Sequence, residues 1–270
     1  MNLTASQPIG IFDSGIGGLT VANAVSKHLP NEQIIYFGDT AHLPYGDKSV
    51  EAIQQYALRI SDFLFTKNCK LILIACNTAS AAAYESLKNY LNGKALLINV
   101  IDPVVQSVVE DDSISKVGII ATKGTIRSGI YEKKLHDIKP GLETSSLATQ
   151  LLAPMIEAGF YNNSVSQAII NNYLAYPDFQ DVQAMILACT HYPLIRKEIE
   201  FFYHHRIKVF DSTDVIARAV EKSLLENNLL NTGDKQPHQF YISDYTESFE
   251  QTTKIFFGEK IHLQHFPLWD

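Results

Sequence analysis

Short apolar runs alternate with longer amphipathic stretches along most of this chain. Uninterrupted apolar runs bounded by turn residues read as buried strands, and stretches with apolar residues three and four apart read as helices. The pattern predicts strands at 9–13, 33–37, 71–75, 95–100, 116–121, 184–188 and 207–210. It predicts helices at 20–28, 50–66, 79–91, 127–135 and 194–203. Continuous apolar strands alternating with helices imply parallel sheet, so the expected class is α/β. No low-complexity tract or short solenoid period interrupts the pattern.

The chain also echoes itself at long range. Ile72-Leu-Ile-Ala-Cys76-Asn-Thr resembles Ile186-Leu-Ala-Cys189-Thr-His, and Pro8-Ile-Gly-Ile-Phe-Asp13 resembles Lys116-Val-Gly-Ile-Ile-Ala121. The two cysteines are 113 residues apart and the two glycines, Gly10 and Gly118, 108 apart. Any two buried strands share apolar letters, but two strand-terminal cysteines at nearly matched offsets favour two related halves. The expectation is two similar open α/β lobes with mostly parallel sheets. The chain would cross near 99–103, where Asp102-Pro103 breaks the pattern, and again near 211–214. Residues 1–99 plus 212–270 would then form one lobe and 100–211 the other. Ligands of open α/β sheets bind at the carboxyl ends of strands, so facing lobes would bring both cysteines to one cleft.

Composition narrows the class further. With 270 residues, 46% of them hydrophobic, and a mean hydropathy of −0.02, a soluble, well-cored protein is expected. The net charge of −7 offers nucleic acid or an anionic membrane no attraction. No run approaches the ~18 apolar residues of a membrane span, and Met1 to Pro8 do not read as a secretory leader. Three cysteines, an odd and low count, argue against a disulfide framework and for a reducing cytoplasm. The absence of Cys-x-x-Cys and His-x-x-x-His leaves a structural zinc site unsupported, and no metal is expected.

Candidate chemistry gathers at strand ends. Cys76 follows one predicted strand and precedes Asn77-Thr78-Ala79, where Thr78 is the expected N-cap of the next helix. Cys189 follows another and precedes Thr190-His191-Tyr192-Pro193, with a helix expected to begin at Pro193. A thiol at a helix start is expected to have a lowered pKa. A lone cysteine in such a place is more often a small buried hydrophobe; two in matched contexts favour function. Cys69, before its strand, reads as inert. Asp13-Ser14-Gly-Ile-Gly-Gly18 follows the first strand and can bring backbone amides close to an anion, although it is neither a dinucleotide fingerprint nor a Walker loop. The Tyr45-Gly46 turn would wall a pocket. Ala121-Thr-Lys-Gly-Thr125 offers hydroxyls, including that of Thr125. His191 reads equally as a proton partner or a capped core residue, and Glu157 as an ordinary helix glutamate.

These motifs resemble those of the glutamate racemases, in the aspartate/glutamate racemase superfamily. Ile9-Gly-Ile-Phe-Asp-Ser-Gly-Ile-Gly-Gly18, Asp39-Thr-Ala-His-Leu-Pro-Tyr-Gly46, Ala75-Cys-Asn-Thr-Ala-Ser80, Gly118-Ile-Ile-Ala-Thr-Lys-Gly-Thr125 and Ala188-Cys-Thr-His-Tyr-Pro193 carry the resemblance, in the family's order. It implies two α/β lobes with the site between them, no cofactor, and catalytic thiols at Cys76 and Cys189 assisted by Asp13, His191 and Glu157. It implies substrate contacts at Asp13, Ser14, Tyr45, Gly46, Asn77, Thr78, Thr190 and His191. Glutamate is the expected small-molecule substrate, D-glutamate for peptidoglycan the expected product; a homodimer is left open. An aspartate racemase of the same superfamily, a cysteine-nucleophile hydrolase or amidotransferase, and a non-catalytic anion-binding module are the alternatives.

Overall fold

The computed structural model describes residues 3–270. Among them, six strands form a parallel sheet: β1 (Ile9–Asp13), β2 (Ile34–Gly38), β3 (Leu71–Ile74), β4 (Leu96–Asn99) and, from the far end of the chain, β9 (Gln239–Ile242) and β10 (Gln264–His265). A second, four-stranded parallel sheet holds β5 (Lys116–Ala121), β6 (Glu143–Ala148), β7 (Ala184–Ala188) and β8 (Lys208–Asp211). The helices are α1 (Leu19–His28), α2 (Val50–Thr66), α3 (Asn77–Leu91), α4 (Ile101–Val109), α5 (Lys123–Ser128), α6 (Ile130–Ile138), α7 (Leu152–Glu157), α8 (Ser164–Leu174), α9 (Arg196–Phe202), α10 (Ser212–Glu226) and α11 (Glu247–Phe257). The protein is α/β with two parallel sheets, as the alternation of apolar runs and amphipathic stretches predicts. None of its described helices is long and apolar enough to cross a membrane.

The long-range echo is visible in the topology. The first sheet runs β10-β9-β2-β1-β3-β4 and the second β6-β5-β7-β8, so β2-β1-β3-β4 and β6-β5-β7-β8 share one order, four strands apart. The register repeats as well. Gly10 pairs with Ile72 and Gly118 with Met185. Each cysteine follows four residues after the partner of its half's glycine. β1, β3, β5 and β7 are almost wholly buried, which is why they read as continuous apolar runs.

Several expectations need correction. The Asp102-Pro103 pair does not break the chain: α4 runs through it, because a proline in the first turn of a helix removes an N–H that has no intrahelical acceptor. Thr78 is not the cap of α3. Cys76 is, its sulfur accepting the Ala79 N–H at 3.4 Å. Pro193 opens a 3-10 turn, Tyr192–Ile195, and the α-helix starts only at Arg196. The predicted helix at 127–135 is two helices, split by Gly129 at φ +62°, a left-handed conformation that suits glycine. Strands β6, β9 and β10 escaped the sequence pattern.

Candidate functional site

The carboxyl ends of β1, β3, β5 and β7 surround one cavity. Cys76, Asn77 and Thr78 enter it from the β3–α3 junction, and Cys189, Thr190 and His191 from the turn after β7. Ser14, Tyr45, Gly46 and Glu157 complete the wall, so nearly all the candidate residues converge there. Two stand behind it. Asp13 is fully buried under the Ser14–Gly18 turn, where its Oδ2 accepts the Gly15 N–H at 3.1 Å. Thr125 backs the wall through hydroxyl contacts with Thr78 and Thr122, each at 3.1 Å. Thr122, which sequence reasoning did not single out, lines the cavity and meets the Thr78 hydroxyl at 2.8 Å.

Hydrogen bonds tie the wall to its supports. The Cys76 thiol donates to the Ser14 hydroxyl at 3.6 Å, and the Cys189 sulfur lies 3.6 Å from His191 Nδ1. The Thr20 hydroxyl of α1 donates to the Thr190 carbonyl at 3.0 Å, joining the turn after β1 to the turn after β7. Tyr45 is held from behind by Asp39, whose Oδ2 accepts its phenol at 2.7 Å. Asp39 also collects the Ser243 hydroxyl at 2.7 Å and the Trp269 indole N–H at 2.8 Å. Neither Asp39's role nor Trp269's was evident in the sequence, since Asp39 joins Tyr45 to Ser243 and Trp269, more than 200 residues further along the chain. Among the described residues, no group of three or more His, Cys, Asp or Glu is arranged to hold a metal ion.

Electrostatically, burial governs the site. The expectation of lowered thiol pKa values is overturned. Burial first, and Asp13 second, push Cys76 up to about 11, against the Ala79 amide and the Ser14 contacts. Cys189 is pushed higher still by burial, with Cys76, Asp13 and Glu157 adding to the rise. The backbone hydrogen bond from His191 opposes the rise. Burial raises Asp13 to about 6, although the amides of Gly18, Gly15 and Ser14 and the Thr190 hydroxyl oppose it. Burial, then Asp13, raises Glu157 to about 7. His191 is lowered to about 4 by burial and is neutral at pH 7. Cys69, outside the cavity, is raised to about 12, in keeping with a buried core thiol.

The chain belongs to the family described as Asp/Glu/Hydantoin racemase, whose profile matches residues 19–220. Within that family it is 38% identical over 266 residues, 97% of this chain and 99% of the relative, to the glutamate racemase of Streptococcus pneumoniae serotype 19F. Its fold is similar to that of the Francisella tularensis glutamate racemase solved with D-glutamate, at a TM-score of 0.91 and 37% identity, covering 98% of this chain and 99% of that one. The aspartate racemase of Picrophilus torridus, at a TM-score of 0.56 and 23% identity over 83% of this chain and 99% of that one, shares the fold alone.

Proposed function

We propose that this enzyme interconverts L- and D-glutamate by direct proton transfer at the α-carbon, with Cys76 and Cys189 as the paired acid and base and no cofactor. The observation that carries the reading is that two thiols, from equivalent strand ends of the two repeated halves, line one cavity. Glutamate as substrate rests on the names of the most similar relatives.

In the L→D direction the Cys189 thiolate takes the α-proton: a C–H bond breaks and an S–H bond forms. The electron pair is held on the carbanion and its carboxylate. The Cys76 thiol then gives its proton to the opposite face, and the reverse direction exchanges the roles. The raised thiol pKa values suit this work, because a sulfur that holds its proton tightly is, once ionised, a stronger base for a weakly acidic C–H. The substrate's ammonium group would favour ionisation as it enters. Asp13 near Cys76, and Glu157 and neutral His191 near Cys189, would receive or return the thiol protons. Ser14, Thr78 and Thr190 supply donors where charge develops on the carboxylate, each contributing on the order of 3 kcal/mol, and Asn77 supplies a further donor for a substrate carboxylate. D-glutamate made in this way would serve bacterial peptidoglycan synthesis in the cytoplasm.

The test is proton NMR of L-glutamate in D2O with the purified protein, followed in parallel by polarimetry. The α-proton signal is expected to vanish as rotation falls to zero. Cys76→Ala and Cys189→Ala should each retain less than about 1% of steady-state turnover in both directions. Higher turnover by either variant sinks the two-thiol mechanism. Turnover of L-aspartate with L-glutamate untouched sinks the substrate assignment.

A further inference from the structure

Asn77 faces the cavity with its amide only half used. Its Oδ1 accepts the Tyr131 phenol at 2.6 Å, while its Nδ2 is buried and has no partner among the described residues. Tyr131 is not part of the cavity wall. It sits on α6, in the half of the second sheet, and its ring lies in the hydrophobic cluster that includes Ile101, Val105 and Leu135. Asn77 opens α3, in the half of the first sheet. The hydrogen bond therefore crosses between the two halves. It depends on Gly129, whose left-handed turn ends α5 and redirects the chain into α6, two residues before Tyr131.

An amide has one acceptor end and one donor end, and nothing in its shape decides which way it points. A buried phenol must place its proton on an acceptor. We propose that Tyr131 is a positioning residue: by donating to Asn77 Oδ1 across the seam between the halves, it aims the Asn77 N–H groups into the cavity as donors for a substrate carboxylate. This rests on the glutamate-racemase reading. Without the phenol, the Asn77 carbonyl can turn toward the cavity, where it would repel a carboxylate instead of binding it. Burial, and then Asp102 and Cys189, push the phenol's pKa well above the usual tyrosine range, so it remains a donor near neutral pH.

The experiment is a double-mutant cycle on the full chain with Tyr131→Phe, Asn77→Ala and both changes, read as kcat and KM for glutamate and as melting temperature. Tyr131→Phe is expected to raise KM about 5- to 10-fold with a smaller change in kcat, since the amide binds the carboxylate in ground and transition state alike. In the Asn77→Ala background the same change should have no further effect on KM, because the group it orients is gone. Additive effects, or Tyr131→Phe kinetics equal to wild type with only a lowered melting temperature, overturn the proposal and leave a structural tie. A wild-type protein that does not turn over glutamate overturns the glutamate reading, and this proposal with it.

Discussion

At the scale of single residues, burial moves every ionisable group around the cavity toward its neutral form: Asp13 to about 6, Glu157 to about 7, Cys76 to about 11 and His191 to about 4. For Glu157 the consequence for stability has a definite sign. Its folded pKa lies above its ordinary value of 4.5, so the folded state holds the proton over a range where the unfolded chain has released it. The associated stability is present below about pH 4.5 and is lost as pH rises through about 7. At pH 8 the folded enzyme carries a half-buried carboxylate whose ionisation works against the fold. Glu157→Gln should therefore be more stable than wild type at pH 8 by about 1–3 kcal/mol, with the difference vanishing toward pH 4.5. Denaturant melts at the two pH values measure this, and a variant destabilised at pH 8 contradicts it. His191 acts in the opposite sense, since its neutral form is favoured by folding and its contribution is lost as pH falls from 6.5 through about 4. Glu157→Gln should also lose turnover, so this carboxylate trades stability for function.

Among the elements, the turn after β1 shows how closely the two halves are fitted. A Cβ on Gly17 would lie 2.4 Å from His191 Cε1, 2.6 Å from its Nδ1 and 2.7 Å from Thr190 Oγ1. Neither neighbour can retreat without disturbing Cys189, which precedes Thr190 in the chain and has its sulfur 3.6 Å from His191 Nδ1. Gly17→Ala is expected to cost about 1–3 kcal/mol of stability through overpacking and to lower kcat/KM at least about 10-fold by displacing His191. Thermal melting and steady-state kinetics would measure the two effects, and full activity would contradict the fit. This juxtaposition was not legible in the sequence, since it spans more than 170 residues. What was legible was local. Strands β1, β5 and β7 lie where their apolar runs place them, because both faces are buried. Strand β6, Glu-Thr-Ser-Ser-Leu-Ala, was missed because it is an edge strand of largely polar residues. β10 was missed because two residues give too little pattern. The cap of α3 was misplaced because capping preferences favour threonine over a thiol, and the thiol pKa values because nearby sequence reveals a helix start but not the depth of burial. Glu157 carried no signal of its own; only the family resemblance raised it.

Across the whole molecule, the end of the chain returns to hold the beginning. β9 pairs with β2 and β10 with β9, extending the first sheet and carrying residues 266–270 past α2. Trp269 then donates its indole N–H to the buried Asp39, whose other oxygen holds Tyr45 against the cavity. The indole packs edge-on to His42 and Tyr56, with ring centroids 4.6 and 5.3 Å away, and Arg59 lies 5.7 Å above it. A site built from residues 13–191 thus has one wall braced from position 269. Trp269→Phe separates the two parts of this brace, because phenylalanine can keep the ring contacts but has no N–H to donate. Asp39 would retain Ser243, His42 and Tyr45 as donors, so folding should survive with a loss of about 1–2 kcal/mol, that of one hydrogen bond to a buried acidic side chain. The larger effect should fall on substrate binding. Tyr45 and Gly46 would be less firmly placed, raising KM about 3- to 5-fold with little change in kcat, because the thiols themselves are untouched. Steady-state kinetics beside a melting curve separate the two effects. If KM is unchanged while stability falls, the Trp269 contact supports the fold alone; if KM rises as stability falls, the cavity wall depends on the Trp269 hydrogen bond for its shape.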